Sequence, residues 1–151
     1  MSRLPDAVRR MFDVIVAAAG IVLVSPVMAA AALLIRLRLG SGVLFRQDRV
    51  GLGGRPFTLL KFRTMQHAEA DRDGPEHDAD RLTAVGRCLR ATSVDELPSL
   101  WNLLRGDVTL VGPRPLPVHY WDRYRGQEYR RFEVKPGITG LAQVSGRNLV
   151  D

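Results

Sequence analysis

Apolar and polar positions are distributed very unevenly along this chain. Residues 14–35 contain no charged residue, whereas the remainder alternates short apolar runs with polar turns. A helix over residues 14–35 would be about 33 Å long at ~1.5 Å per residue, which is just enough to cross a bilayer. The pattern therefore predicts an N-terminal membrane helix followed by a small domain of mixed helices and strands.

The Ser25-Pro26 pair lies near the middle of the apolar run. Proline removes a backbone donor and clashes with the preceding turn, so the helix must kink or break there. The Ser25 hydroxyl can supply a hydrogen bond to the carbonyl that proline leaves free. A helix that breaks and returns is one outcome; a kinked spanning helix is the other, because proline is common in spanning helices.

The charges that flank the run favour the first outcome. Arginines precede the run and also follow it, and the positive-inside rule draws both ends to the cytoplasmic side. They are Arg3, Arg9 and Arg10 before it, and Arg36, Arg38, Arg46 and Arg49 after it. We therefore predict a re-entrant helix, broken at Ser25-Pro26, within an anchor formed by residues 1–40.

Residues 41–151 are predicted to form one functional unit of the α+β class, a small mixed α/β domain on the cytoplasmic side. Aromatic rings interleaved with arginines over residues 117–132 are typical of a helix at a membrane interface, although an ordinary amphipathic surface helix fits equally well. The remaining elements follow from local signals. They are a β-hairpin over 43–65 that turns at Gly51, Gly53 and Gly54, an exposed loop over 66–80, a short helix or turn over 81–91, a helix over 95–105, a short strand over 107–112 and a turn-rich segment over 134–148.

The amino-acid composition limits the classes of partner that the chain is expected to bind. The net charge is +6, and all but two of the 22 basic residues are arginine. Such a chain suits nucleic acid, anionic membranes or phosphorylated substrates. The uncharged run and the lack of any DNA- or RNA-binding motif argue against nucleic acid. The single cysteine, Cys88, excludes an internal disulfide and fits a reducing compartment.

The candidate chemistry begins at the adjacent carboxylates Asp95 and Glu96. Both could simply cap a helix, because acidic residues favour a first turn. Neighbouring carboxylates can also divide catalytic work, with one attacking phosphorus and the other holding a metal. An aspartate is ionised at neutral pH and needs no base to become a nucleophile. Magnesium and nearby arginines would offset its repulsion from a diphosphate.

Basic residues surround this pair in the sequence. Arg114 lies between Pro113 and Pro115, which limits its backbone freedom and suits a fixed phosphate clamp. A structural turn with a solvated arginine is the alternative. Four further candidates for binding a diphosphate could each be an ordinary surface charge; they are Lys61, Arg63, Arg87 and Arg90.

Several motifs in a fixed order resemble the small monotopic phosphoglycosyl transferases, also called bacterial sugar transferases. The resemblance covers nearly the whole chain. Its motifs are Ser25-Pro26, Lys61-Phe62-Arg63-Thr64-Met65, Leu89-Arg90, Asp95-Glu96-Leu97-Pro98, Gly112-Pro113-Arg114-Pro115, Lys135-Pro136-Gly137-Ile138-Thr139-Gly140 and Ser145-Gly146-Arg147-Asn148.

The resemblance implies transfer of a sugar-1-phosphate from a nucleotide diphosphate sugar, with uridine expected, to a polyprenyl phosphate. In similar proteins the residue matching Asp95 is the nucleophile of a covalent phosphosugar intermediate, and the residue matching Glu96 helps to bind Mg²⁺. Arg90 matches an arginine implicated in binding the lipid phosphate, and Arg114 one implicated in binding the nucleotide sugar. The implied location is the cytoplasmic face of a bacterial inner membrane.

Two departures from the family pattern bear on function. Ser99 stands where many members carry glutamine, which could alter local packing. Many relatives also continue beyond the position of Asp151 with another amphipathic segment. This second departure motivates an alternative, a catalytically incomplete membrane-bound binding or assembly module of the same family.

Overall fold

The computed structural model describes residues 5–66, 78–123 and 126–140. Four α-helices and four strands are found in these ranges, joined by short 3₁₀ helices. The α-helices are α1 (Asp6–Leu39), α2 (Asp78–Arg81), α3 (Ala84–Ala91) and α4 (Leu100–Arg105). The strands are β1 (Leu44–Val50), β2 (Pro56–Phe62), β3 (Thr109–Val111) and β4 (Gly137–Thr139). The 3₁₀ helices are Leu52–Gly54, Val94–Ser99, Val118–Arg123 and Gly126–Glu133.

Helix α1 contains the apolar run and is, among the described residues, the one helix long and apolar enough to cross a membrane. It continues through Pro26 without interruption, so the predicted break does not divide it into two helices. Proline leaves the carbonyl of Val22 without its usual donor four residues on. The Ser25 hydroxyl donates to that carbonyl at 2.8 Å, as predicted. The re-entrant path itself stays a prediction.

One face of α1 is buried and the other is apolar but exposed. The buried positions recur at helical spacing, at Asp13, Ala17, Ala31 and Ile35. On the opposite face, Leu23 remains 79% exposed. A face of this kind, left in water, would be costly, and it is what a lipid environment would cover.

Packing divides the chain into two compact units, and both α1 and the hairpin contribute to each. We call residues 1–21, 46–59 and 99–151 the first unit and residues 22–45 and 60–98 the second unit. The core of the first unit is formed by Ala17, Leu103 and Val108. The core of the second unit is formed by residues of α1, β2 and α3, namely Ala31, Ile35, Phe62 and Leu89. The division predicted from the sequence, between an anchor of residues 1–40 and a domain of residues 41–151, separates functions and not packing units. It stays a prediction.

Two polar side chains fasten the first half of α1 within the first unit. Arg10 donates from Nη1 to the carbonyl of Leu103 at 2.8 Å and from Nη2 to that of Leu104 at 2.5 Å. The guanidinium therefore satisfies carbonyls in the last turn of α4, where a positive charge is favoured. Buried Asp13 accepts hydrogen bonds from Thr109 Oγ1 at 2.8 Å and from the backbone N–H of Leu110 at 3.0 Å.

The mixed α/β character and the hairpin are confirmed, with β1 and β2 paired across the glycine turn. Two expectations need correction. The predicted helix over 95–105 is a 3₁₀ helix followed by a shorter α-helix that begins at Leu100, because Pro98 opposes an α-helical start. Within the turn-rich segment over 134–148, β4 pairs in parallel with β3, in the register Thr109 to Gly137. Most of the predicted loop over 66–80, and the Ser145-Gly146-Arg147-Asn148 motif, lie outside the described residues.

Candidate active site

The carboxylate pair lies in the second unit on the 3₁₀ helix Val94–Ser99, which follows α3 directly. Ser93, between these two helices, has a φ of 57°, in the left-handed region that residues other than glycine seldom adopt. Its carbonyl accepts a hydrogen bond from the N–H of Glu96 at 3.2 Å. The chain thus makes a tight turn that presents Asp95 and Glu96 together.

Glu96 forms an ion pair with Lys61, which lies on β2. The Nζ of Lys61 is 2.8 Å from Oε1 of Glu96, and the two side chains are 21% and 28% exposed. Pairs with this degree of solvent contact contribute about 1 kcal/mol or less to stability. The pair therefore orients the Glu96 carboxylate more than it stabilises the fold.

Asp95 is in a different environment from its neighbour, with only 9% of its surface exposed. Burial raises the pKa of the Asp95 carboxyl above its ordinary range. Lys61 opposes that rise, Glu96 adds to it, and Arg90 opposes it. The charged form of Asp95 is thus destabilised by desolvation while cations remain close. A desolvated carboxylate with cations close to it is typical of a reactive group.

Arg90 is placed beside the pair by two threonines. Its Nε donates to Oγ1 of Thr64 at 3.0 Å, while the side chain remains exposed. Thr83 caps α3, because its Oγ1 accepts from the N–H of Gly86 at 3.0 Å. The same hydroxyl donates to the carbonyl of Thr64 at 3.3 Å, which joins the start of α3 to the segment just after β2.

Gly86 makes this junction possible. A Cβ added there would lie 1.9 Å from the carbonyl oxygen of Thr64, so only glycine permits the approach. Neither Thr64 nor Gly86 was assigned a role from the sequence. Thr64 lies in the Lys61–Met65 motif, which is the signal that could have drawn attention to it.

The other predicted basic residues separate into distinct environments. Arg63 is buried, and its Nη2 donates to the carbonyl of Leu39 at 2.6 Å, which caps α1. Its guanidinium is committed to the fold, and we leave Arg63 out of the substrate-binding set proposed below. Arg87 is exposed on α3 and donates to the carbonyl of Leu82 at 3.1 Å. Arg114 is exposed in the first unit.

The structure therefore brings together Lys61, Arg90, Asp95 and Glu96. Two carboxylates supply hard oxygen donors, and Mg²⁺ commonly uses one or two carboxylates with substrate phosphates completing its shell. In the described parts of the chain, no cluster of three acidic, histidine or cysteine side chains forms a complete cage. A pair of this kind would suit a cation shared with a bound phosphate, and the Glu96 side chain is 28% exposed to solvent.

Residues 4–151 match the sequence profile of the bacterial sugar transferase family. This match covers nearly the entire chain, and the chain belongs to that family.

Among curated relatives, the chain is 46% identical over 142 residues to the uncharacterized sugar transferase EpsL of Bacillus subtilis (strain 168), covering 94% of this chain and 70% of the relative. It is 49% identical over 149 residues to the UDP-glucose:undecaprenyl-phosphate glucose-1-phosphate transferase of Caulobacter vibrioides, covering 93% and 55%. It is 41% identical over 143 residues to the UDP-N-acetylgalactosamine-undecaprenyl-phosphate N-acetylgalactosaminephosphotransferase of Aeromonas hydrophila, covering 91% and 34%. The chain thus spans about half or less of the two relatives whose substrates are named.

Proposed function

We propose that this protein transfers a sugar-1-phosphate from a UDP-sugar to undecaprenyl phosphate or a similar polyprenyl phosphate. Family membership and the substrates in the names of two relatives support the reaction class. The observation that carries the proposal is the arrangement of two neighbouring carboxylates. Asp95 is buried and desolvated, and Glu96 beside it forms an ion pair with Lys61. The relatives named above differ in their sugar, so the proposal extends to a UDP-sugar and no further.

In the first step, an Asp95 carboxylate oxygen attacks the phosphorus attached to the sugar. A bond forms between that oxygen and phosphorus, the bond from this phosphorus to the bridging diphosphate oxygen breaks, and UMP leaves with the electron pair. In the second step, an oxygen of the polyprenyl phosphate attacks the same phosphorus. The bond to Asp95 breaks and the carboxylate is restored, so no proton, oxidant or reductant is required.

The basic residues support this chemistry by charge. Lys61 and Arg90 face the carboxylates, so they can offset the repulsion between Asp95 and a diphosphate. Arg90 is proposed to bind the polyprenyl phosphate, and Arg114 the phosphates of the nucleotide sugar. Glu96, with Asp95 beside it, would hold Mg²⁺, which supplies neutralisation of the phosphate oxygens when it is bound.

An adduct experiment tests the nucleophile. Wild-type protein in nanodiscs is incubated with a panel of UDP-sugars without lipid acceptor, and intact-protein mass spectrometry should show a phosphosugar adduct. Asp95→Asn keeps the shape of the side chain but removes its charge, so no adduct should form. Asp48→Asn is the matched control, because Asp48 is an exposed aspartate that should not matter.

Each outcome has a separate meaning. An adduct on another residue would overturn the assignment of Asp95. UMP release by Asp95→Asn that occurs only after polyprenyl phosphate is added would indicate direct attack by the lipid phosphate. Binding of UDP-sugar without adduct or turnover in wild type would favour the binding or assembly module. EDTA should abolish adduct formation and Mg²⁺ should restore it; full activity in EDTA would mean that arginine and lysine side chains suffice.

The charges at both ends of α1 support a monotopic arrangement at the cytoplasmic face. Arg9 and Arg10 precede the apolar run, and Arg36 and Arg38 follow it. The positive-inside rule draws both ends of such a helix to the cytoplasmic side. We therefore propose that α1 enters the bilayer without crossing it.

Single cysteines test this topology. After Cys88 is replaced by serine, Ser2→Cys and Ser41→Cys should both resist an impermeant thiol reagent in intact cells and both react after lysis. Labelling at residue 2 with protection at residue 41 would establish a spanning helix instead.

A further inference from the structure

The Gly112–Pro115 turn is held by donors from three distant parts of the first unit. Three successive backbone carbonyls of the turn each accept a hydrogen bond. Gly137 N donates to Pro113 O at 2.9 Å, Arg131 Nη2 donates to Arg114 O at 3.2 Å, and Arg49 Nη1 donates to Pro115 O at 3.0 Å. Two of these donors are charged, which makes their bonds stronger than those between neutral groups.

Arg49 is itself well anchored. It lies on β1, where its Nη2 also donates to Oε1 of Gln47 at 2.5 Å. The next residue, Val50, donates its N–H to the carbonyl of Leu116 at 2.9 Å. Strand β1 therefore runs beside the segment that follows the turn, and Arg49 reaches the turn from a fixed backbone.

The other side of the turn is fixed by close backbone packing. The N–H of Gly112 donates to the carbonyl of Thr139 on β4 at 2.9 Å. A Cβ on Gly137 would lie 2.0 Å from the nitrogen of Gly112, so the two glycines allow this approach. The Lys135–Gly140 motif thus has a physical role, which is to hold the start of the Gly112–Pro115 turn.

The three arginines of this arrangement differ in what their side chains contact. The guanidinium groups of Arg49 and Arg131 donate hydrogen bonds to backbone carbonyls of the turn. The guanidinium of Arg114 is exposed, and within the described ranges no side chain or carbonyl engages it. A solvent-facing guanidinium on an immobilised backbone loses little freedom when an anion binds, so ordering costs less affinity.

We propose that Arg49 and Arg131 are positioning residues that hold the backbone of Arg114 so that its guanidinium is ready for the diphosphate of the nucleotide sugar. This inference rests on the proposed function, because it takes Arg114 to bind that diphosphate. Arg49 and Arg131 act through Arg114 and do not themselves touch substrate.

A double-mutant cycle between Arg49 and Arg114 tests the inference. The full-length protein in nanodiscs is titrated with UDP as the binding probe, and KM is measured by UMP release with the UDP-sugar that supports turnover. Arg49→Met keeps much of the side-chain length but removes the charged donor. We expect the Kd for UDP and the KM to rise about tenfold, the effect of losing roughly one charge-assisted hydrogen bond, while kcat falls less than about threefold.

The decisive reading is the effect of Arg49→Met in an Arg114→Ala background. If Arg49 acts through Arg114, the second substitution should change Kd and KM by less than about twofold. Arg46→Met is the matched control, because it removes an exposed arginine from the same strand and should leave both constants unchanged. Arg49→Lys keeps one charged donor and should recover part of the lost affinity.

Other results would overturn the inference. Additive effects in the double variant would mean that Arg49 contributes independently of Arg114. If Arg49→Met does not fold, Arg131→Met replaces it in the cycle, with the exposed Arg130→Met as its control. Additivity there would count equally against the inference. A wild-type protein that neither binds UDP nor releases UMP would instead refute the proposed function, and the positioning role would fall with it.

Discussion

Asp13→Ala tests whether the first half of α1 is fastened to the first unit. Asp13 is the last charged residue before the apolar run, and it is only 6% exposed. Its carboxylate accepts hydrogen bonds from Thr109 Oγ1 at 2.8 Å and from the N–H of Leu110 at 3.0 Å. Alanine removes both acceptors and leaves the N–H of Leu110 without this partner.

The expected cost follows from those two bonds. A hydrogen bond to a charged group contributes roughly 1.5–3 kcal/mol, and an unpaired buried donor costs about 1–3 kcal/mol. Thr109 and Leu110 are only half-buried, so water can compensate in part. We therefore expect Asp13→Ala to lower the free energy of unfolding by about 2–4 kcal/mol.

Asp13→Asn separates shape from charge. The amide oxygen can still accept from Leu110, and the amide nitrogen can donate to the hydroxyl of Thr109, so both contacts survive as neutral hydrogen bonds. Neutral bonds are about half as strong, so the loss should be about 1 kcal/mol. Asp6→Ala is the control, because Asp6 is exposed in the first turn of the same helix and should cost less than about 1 kcal/mol.

Urea unfolding in detergent micelles, followed by tryptophan fluorescence, measures these differences. Both tryptophans, Trp101 and Trp121, belong to the first unit, so the signal reports the region that Asp13 fastens. With a slope of about 2 kcal/mol per molar urea, the midpoint of Asp13→Ala should fall by about 1–2 M. An Asp13→Ala midpoint equal to that of Asp6→Ala would refute the reasoning and place this half of α1 away from β3.

Substitutions at three further positions, Asp95, Ser93 and Gly86, have expected outcomes. Because burial raises the pKa of Asp95, the folded state loses stability as pH rises through that pKa. At pH 7, Asp95→Asn should therefore unfold at a higher urea concentration than wild type. This difference in unfolding midpoint should shrink as pH falls toward about 4. An unchanged difference across pH would exclude this cause. Ser93→Gly should cost less than about 1 kcal/mol of stability, because glycine accepts a positive φ. Ser93→Val should cost about 2 kcal/mol or more, because a branched side chain does not. Equal unfolding midpoints for the two variants would contradict the strain at Ser93. Gly86→Ala should cost about 1–3 kcal/mol of stability and slow turnover, because its Cβ would collide with Thr64. Gly20→Ala is the control and should be tolerated, because its Cβ would be 3.5 Å from the nearest side chain. Equal effects of the two substitutions in thermal melts would argue against the close approach at Gly86.

The elements that could be predicted from sequence are those with local signals. The hairpin follows from alternating residues around Gly51, Gly53 and Gly54, and the Ser25 hydroxyl bond follows from the proline beside it. Strand β4 is too short to show an alternation of apolar and polar residues. Its parallel partner β3 is distant in sequence, so no local periodicity indicates that the two strands pair. The 3₁₀ helices between residues 118 and 133 replace the expected longer helix, because aromatic and basic composition does not distinguish the two.

The candidate site was predictable in its residues but not in their partners. Asp95 and Glu96 are visible as an adjacent acidic pair, whereas the bond from Lys61 to Glu96 joins residues 35 positions apart. Arg63 shows what tertiary packing adds. The sequence groups it with Lys61 as a candidate substrate-binding cation, but β2 ends at Phe62, and beyond that point packing directs the Arg63 guanidinium to the carbonyl of Leu39 at the end of α1.

Four consecutive residues, the last two of β2 and the two that follow it, connect helix α1 to the candidate site. Lys61 pairs with Glu96, and Phe62 packs in the core with residues of α1. Arg63 then caps α1 at Leu39, and Thr64 holds Arg90. Arg63 and Thr64 lie beyond the last residue of β2, so strand alternation does not set their directions, and this short segment contacts both α1 and the site. Under the proposed function, in which α1 lies in the bilayer, this segment would couple the position of α1 to the cations around the carboxylates. Such coupling suits the proposed reaction, because one proposed substrate is soluble and the other remains in the membrane.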